Sequence, residues 1–488
     1  MKNATVDVNC GSIYQESLPL ALDEGQVEEI TISESFERMA RIQFRLGLFD
    51  STKKDKNNPE MDITLIDSPQ HQQLALEAAL QSIVLLQNKD SFLPLNMNEE
   101  KSVAVIGPHI DGRAVFMGNY HGDRCGCSGD GDFLRDFSCI ESPLEAIKRK
   151  MKFPDQVKSV KGCNVADSDI MDIEKAKELA QNSDTVILFL GLDQGQESEG
   201  LDRVITTLPG LQPKLMESVL DVAGDKTIIV LLHGGTVSLG EGRSKAGAIL
   251  STGYGGEAGA SAIASVLFGE YNPTGKLAAT VYPPSFVDEL KLTEMGLRIG
   301  VGRTYMYYSG EAEFPFGHGL SYSQWKLDWA YGKGNNEMSG QSDILPYLEL
   351  HKFKSTPLHV SVQNLGPHAA GSSQTILLFW RPTKTAKEGE TLDFSLVDKF
   401  DKRRIRQKLI DFKETSILHV GESETLEFNL NWDDFALWDS SKNASVVLPG
   451  TYELVVKVAD SQLVQYLVVV PSNIQEDFAH LRHPKATS

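Results

Sequence analysis

At 488 residues the chain is too long for one ordinary domain and suggests about two to four. With 41% hydrophobic and 23% charged residues it has a normal globular mix, ample for a sizeable core. The net charge of −20 argues against nucleic acid or an anionic membrane as partner, since both require a basic face, and fits a solvated acidic surface around a site for a neutral ligand.

Met1-Lys2-Asn3-Ala4-Thr5 offers no apolar core for a signal peptide, and no stretch approaches the ~20 apolar residues of a membrane span. Asn3-Ala4-Thr5 and Asn443-Ala444-Ser445 are glycosylation sequons of a kind common by chance, so localisation stays open. Residues 1–50 carry two helical patterns, Leu18 to Gly25 and Ser33 to Leu46, with Ser33 as the expected N-cap and Gly47 as the stop. Two such helices cannot bury a core alone.

Residues 51–66 read as a polar linker closing on Asp67-Ser68-Pro69, a cap followed by proline at the first helical position. A helix is expected from Leu74 to Leu86. Strands are expected at 102–107, 185–190, 227–232 and 246–250, and helices at 173–181, 212–223 and 258–268. Continuous apolar strands alternating with helices predict a mostly parallel sheet covered on both faces, an α/β sandwich over 67–325. Such sheets bind ligands at the carboxyl ends of their strands. After a connection at 326–354 the period changes. Short strands at 359–362, 375–379, 424–430, 452–458 and 464–470 predict a β-sandwich of fibronectin or immunoglobulin type over 355–472, followed by a tail at 473–488.

Five cysteines (Cys10, Cys125, Cys127, Cys139 and Cys163) are too few for a disulfide scaffold, and the odd number leaves one without a partner in the chain. Cys125-Gly126-Cys127 is too tight for an ordinary zinc pair, so a structural disulfide or free thiols are expected and no metal. Val103 to Gly107 opens like a nucleotide-binding strand, but Pro108-His109-Ile110 follows in place of a glycine-rich turn. The strand is therefore read as structural, and no cofactor is expected. His318 between Gly317 and Gly319 is read as a loop-holding hydrogen-bonder.

The segment from Gly191 to Arg203 differs. It follows a buried strand directly and crowds Asp193, Glu197, Glu199 and Asp202 among glycines beside Arg203. Like-charge crowding raises one carboxyl's pKa, as a general acid needs, and Arg203 could hold another as a carboxylate. On these residues alone a catalytic loop and an acidic surface loop fit equally.

Glu199-Gly200-Leu201-Asp202-Arg203 resembles the Glu-Gly-x-Asp-Arg loop of glycoside hydrolase family 3. Further segments resemble the family in the same order. Asp7 to Gly11 and Arg41 to Asp50 are similar to its barrel end, and His71 to Leu86 to the opening helix of its second domain. Gly118-Asn119-Tyr120, Tyr254 to Gly259, Leu267 to Leu277, Gly302 to Tyr305 and Phe314 to Tyr322 continue the likeness. Gln87 stands where the family usually has lysine.

The resemblance implies a remnant of a (β/α)8 barrel over 1–50, then the α/β sandwich and the fibronectin type III-like domain. It implies a retaining β-xylosidase or β-glucosidase-like enzyme that removes terminal β-linked xylose, arabinose or glucose from oligosaccharides, with a lean to the xylosidase and arabinosidase branch. Glu199 would be the acid/base, with Glu197 as the competing candidate, and Asp202 and Arg203 as loop supports. The family's aspartate nucleophile would lie on the barrel upstream of Asp7, outside this sequence, and in the xylosidase-like branch a cysteine often follows it, a partner that Cys10 would have lost. A catalytically incomplete, sugar-binding product is the alternative expectation.

Overall fold

A computed structural model describes residues 6–49, 65–122, 125, 136–167, 172–330, 348–350, 355–382, 405–439, 443–447 and 450–469. It divides into two compact units, Met1–His71 and Gln72–Ser488.

The first unit holds helices α1 (Ile13–Asp23) and α2 (Glu29–Arg45). Both end on a left-handed glycine, as their sequences ask. Gly25 and Gly47 take φ of +69° and +73°, and the next residues' amides, Gln26 N and Leu48 N, reach back to Ala21 O and Gln43 O. α2 starts before the expected cap: Glu28 is the N-cap and Ser33 lies inside the helix. Among this unit's described residues only Thr31 and Ser35 are buried, whereas Phe36, Ile42 and Phe44 are exposed. The pair thus has no apolar core of its own. Asp7 is held by Arg38 through two guanidinium nitrogens, at 2.8 and 3.0 Å.

α3 spans Pro69–Ser82, with Ser68 Oγ accepting from His71 N at 3.3 Å. Where the sequence suggests helix up to Leu86, the structure has strand β1 (Val84–Asn88), antiparallel to the later strand Ala248–Ser251. A fully buried apolar run suits a central helix or a strand equally, and pairing decides.

The chain then alternates through β2 (Val103–Ile106), α4 (Pro143–Lys150), β3 (Val157–Val160), α5 (Ile173–Gln181), β4 (Thr185–Gly191), α6 (Gln212–Ala223), β5 (Thr227–Leu232), β6 (Ala248–Ser251) and α7 (Gly259–Leu267). The sheet order is β1-β6-β5-β4-β2-β3, parallel except for β1. Alternate side chains serve opposite layers: Ile187 and Phe189 pack with α4 and α7, while Val186, Leu188 and Leu190 pack with α5 and α6. Burial on both faces is why these strands carry no polar alternation.

β7 (Gln324–Trp329) lies in the stretch expected to leave the α/β sandwich, yet it pairs with β9 (Thr356–Gly366). β8 (Leu348–Leu350) falls in the expected connection, before β9. The remaining strands are β10 (Thr375–Pro382), β11 (Lys408–Glu414), β12 (Ser423–Leu430), the small pair β13 (Leu437–Asp439) and β14 (Ala444–Val446), then β15 (Gly450–Val458) and β16 (Ser461–Val469). One sheet runs β11-β10-β15-β16-β8 and the other β12-β9-β7. Between them lie Trp380, Phe428, Phe435 and Tyr452, all fully buried.

Cys125 is disulfide-bonded to Cys139, Cys10 is an exposed thiol and Cys163 a buried one. Cys127 lies outside the described residues. Burial pushes the Cys163 thiol up to about 11, so it is an inert core group. His318 acts as its glycine flanks suggest, its Nε2 lying 2.8 Å from Leu86 O.

Candidate active-site loop

The loop after β4 leaves the carboxyl edge of the sheet through Gly191, whose φ is +143°. Its first bend is built by Asp193. Asp193 Oδ1 accepts from Gly195 N at 2.9 Å, and its carbonyl accepts from Gln196 N at 2.9 Å and Glu197 N at 3.1 Å. A second, tighter bend closes between Ser198 and Leu201, with Leu201 N donating to Ser198 O at 3.0 Å. Glu199 and Gly200 are its two central residues. Gly200 has φ +76°, a conformation that an L side chain resists, which accounts for the Glu-Gly order.

The two candidate glutamates point into different surroundings. Glu199 is exposed at the tip of the bend, and its Oε2 accepts from Tyr120 Oη, another exposed side chain. Glu197 is turned inward. Its carboxylate accepts from Gly234 N at 2.6 Å, from Gly235 N at 3.0 Å and from Tyr254 Oη at 2.7 Å. Arg203 Nε lies 3.7 Å from it, the side chains being 17% and 19% exposed. Arg203 Nη2 also donates to Thr236 O at 2.9 Å.

The structure therefore brings Arg203 to Glu197 and leaves Asp202 exposed outside that cluster. Gly234 and Gly235 follow β5 and Tyr254 follows β6, so the cluster joins three adjacent strand ends. A Cβ on Gly234 would lie 2.8 Å from Glu197 Oε1, and one on Gly235 2.9 Å from Arg203 Nη2, so a side chain at either position would push these two groups aside.

Burial, aided by Glu197, pushes the Tyr254 phenol far above its ordinary range, so it stays a donor at any working pH. Burial also lowers the pKa of His233, whose Nε2 lies 2.8 Å from Ser251 Oγ between the ends of β5 and β6. Among the described residues no group of three or more His, Cys, Asp or Glu side chains is arranged to hold a metal ion.

Residue spacing in this loop alone does not reveal Tyr120, Gly234, Gly235 or Tyr254. Two of them lie in the family-like segments Gly118-Asn119-Tyr120 and Tyr254 to Gly259. The glycine pair Gly234-Gly235 after a buried strand was the remaining signal.

The fold is a mostly parallel α/β sandwich with an acidic loop at its strand ends, followed by a β-sandwich, and comparison with known proteins gives the family. Residues 83–322 match the glycosyl hydrolase family 3 C-terminal domain, and residues 398–459 a fibronectin type III-like domain. The chain belongs to glycoside hydrolase family 3.

It is 33% identical over 480 residues to Probable beta-D-xylosidase 7 of Arabidopsis thaliana, covering 94% of this chain and 58% of that protein. It is 31% identical over 469 residues to Exo-1,4-beta-xylosidase xlnD of Aspergillus awamori, covering 92% and 54%. The chain thus spans little more than half the length of these relatives. A solved exo-beta-xylosidase (XlnD) bound to a xylobiose aziridine probe superposes with a TM-score of 0.74 at 24% identity, over 95% of this chain and 57% of that one. A beta-glucosidase from Listeria innocua in complex with glucose gives 0.72 at 21%, over 96% and 58%. Both share the fold.

Proposed function

We propose that this chain provides the acid/base half of a retaining β-glycosidase that removes terminal xylose, arabinose or glucose from β-linked oligosaccharides, with Glu199 as the acid/base. The observation that carries the reading is the contrast within one loop. Glu199 stands at an exposed turn tip with only the exposed Tyr120 phenol on its carboxylate, whereas the half-buried Glu197 carboxylate receives two backbone amides and a phenol.

A general acid must present its proton to a leaving-group oxygen. Glu197 faces its donors and is only 19% exposed. A retaining mechanism also needs its two carboxyls ~5–5.5 Å apart, so an acid/base on this domain has to project towards a nucleophile carried elsewhere. In the family that nucleophile belongs to the barrel, and the exposed apolar residues of α1 and α2 fit a barrel end that packs on further chain. The similarity to two xylosidases supports xylose as the first sugar to try.

The test is turnover of 4-nitrophenyl β-xyloside, arabinoside and glucoside by the chain and by Glu199→Gln. Loss of ~100-fold or more in the variant supports the assignment. Full activity in Glu199→Gln would sink it. Binding of xylose or a xylo-oligosaccharide without turnover would point to the sugar-binding alternative, which rests on the expected absence of the nucleophile from these residues.

A further inference from the structure

The inward glutamate has a geometry too complete for a bystander. Glu197 gathers Gly234 N, Gly235 N and Tyr254 Oη on one carboxylate, beside the Arg203 guanidinium that also holds Thr236 O. These partners come from the segments after β5 and β6, whereas Glu197 and Arg203 stand before and after the turn that carries Glu199. The turn is thereby pinned from both sides: Glu197 precedes its first residue, Ser198, and Arg203 lies two positions past its last, Leu201. Gly234 and Gly235 lack the side chains that would block this approach.

We propose that Glu197 is a positioning residue, which with Arg203 and Tyr254 locks the Ser198–Leu201 turn and so fixes where Glu199 presents its carboxyl. The proposal rests on the reading of Glu199 as acid/base for its catalytic consequence, but not for its structural one. A loop held only by its own bends samples many orientations, and each misplacement of an acid/base group costs rate. Charge-assisted bonds to backbone amides remove that freedom before substrate arrives.

Two measurements on the full chain test this with Glu197→Gln, Tyr254→Phe and Glu199→Gln. The first is backbone amide exchange over 193–203 and 233–236. Glu197→Gln is expected to speed exchange there by about tenfold and Tyr254→Phe by less, while Glu199→Gln leaves it unchanged. Tyr254→Phe removes a single donor and keeps the test available should Glu197→Gln fold poorly.

The second is turnover of xylosides with a poor and a good leaving group, 4-nitrophenyl and 2,4-dinitrophenyl. A positioning residue that acts through Glu199 shows the leaving-group pattern of Glu199→Gln and adds no further loss to it in the double variant. An acid/base residue recovers on the good leaving group, which needs little protonation. Unchanged exchange in both Glu197→Gln and Tyr254→Phe overturns the clamp, and a full further loss from Glu197→Gln in the Glu199→Gln background overturns the role by giving Glu197 chemistry of its own. Full activity in Glu199→Gln with accelerated exchange in Glu197→Gln refutes the acid/base reading and leaves the clamp standing.

Discussion

Lys276 of the α/β sandwich donates from Nζ to Gln374 Oε1 of the β-sandwich at 3.1 Å, and to Thr274 O at 3.2 Å. Gln374, fully buried, returns its own amide to Pro273 O at 3.1 Å, so one glutamine stitches the Pro273 to Lys276 stretch to the second fold. Burial lowers the pKa of Lys276 to about 8 from the ordinary lysine value of 10.5. The sign follows directly. Below pH 8 the ammonium is charged in both states and the folded state bears its desolvation cost. Between about 8 and 10.5 the unfolded chain binds more protons, so this group favours folding increasingly as pH rises. Urea unfolding at pH 7 and pH 10 should show the native chain gaining on Lys276→Met by about 2 kcal/mol across that interval. A pH-independent difference between them would contradict the assignment.

Gly191 ends β4 at the entrance of the acidic loop, and a Cβ there would collide with the carbonyl of Leu232 on β5. Its φ of +143° adds backbone strain for any other residue. Gly191→Ala should destabilise the chain by more than ~3 kcal/mol, since backbone rather than a flexible side chain blocks the way. Thermal unfolding of the variant reads this directly, and a Tm near that of the native chain would refute it.

α4 opens with a reciprocal cap. Ser142 Oγ accepts from Glu145 N at 3.3 Å and Glu145 Oε2 accepts from Ser142 N at 2.9 Å. Ser142→Ala should cost ~1 kcal/mol, the ordinary value of a lost N-cap. Denaturant midpoints of the two proteins measure it, with Ser142→Thr or Ser142→Asp expected to restore most of the loss.

The β-sandwich core is organised around Trp380, fully buried, 5.1 Å from the Tyr452 ring and donating from Nε1 to Asp434 O at 3.1 Å. Trp380→Ala should remove ~3–5 kcal/mol by transfer and cavity terms. Trp380→Phe keeps much of the packing and loses the indole donor, while Lys408 Nζ still donates to Asp434 O at 2.9 Å, and should fall between. Near-ultraviolet circular dichroism with urea titration separates the three proteins.

Much of the sheet was legible because its strands are buried on both faces. The helices at 173–181 and 212–223 and the strand at 227–232 have in the structure the ends their residues suggest. Elements whose state depends on a distant neighbour were not. Val84 to Asn88 is a strand because β6 offers it an antiparallel edge, and Gln324 to Trp329 because β9 does. β3, with Lys158 and Ser159 exposed, has too little apolar pattern to announce itself.

The sequence by itself determined the acidic loop, its place after a buried strand and the Glu-Gly turn that Gly200 makes possible, because these depend on residues adjacent in the chain. The likeness of its Glu-Gly-x-Asp-Arg segment favoured Glu199, but nothing in it showed how the surroundings of Glu197 and Glu199, two positions apart, differ. Only the tertiary structure does so, because the donors that hold Glu197 lie 37, 38 and 57 residues further on and meet it only once the ends of β4, β5 and β6 stand side by side.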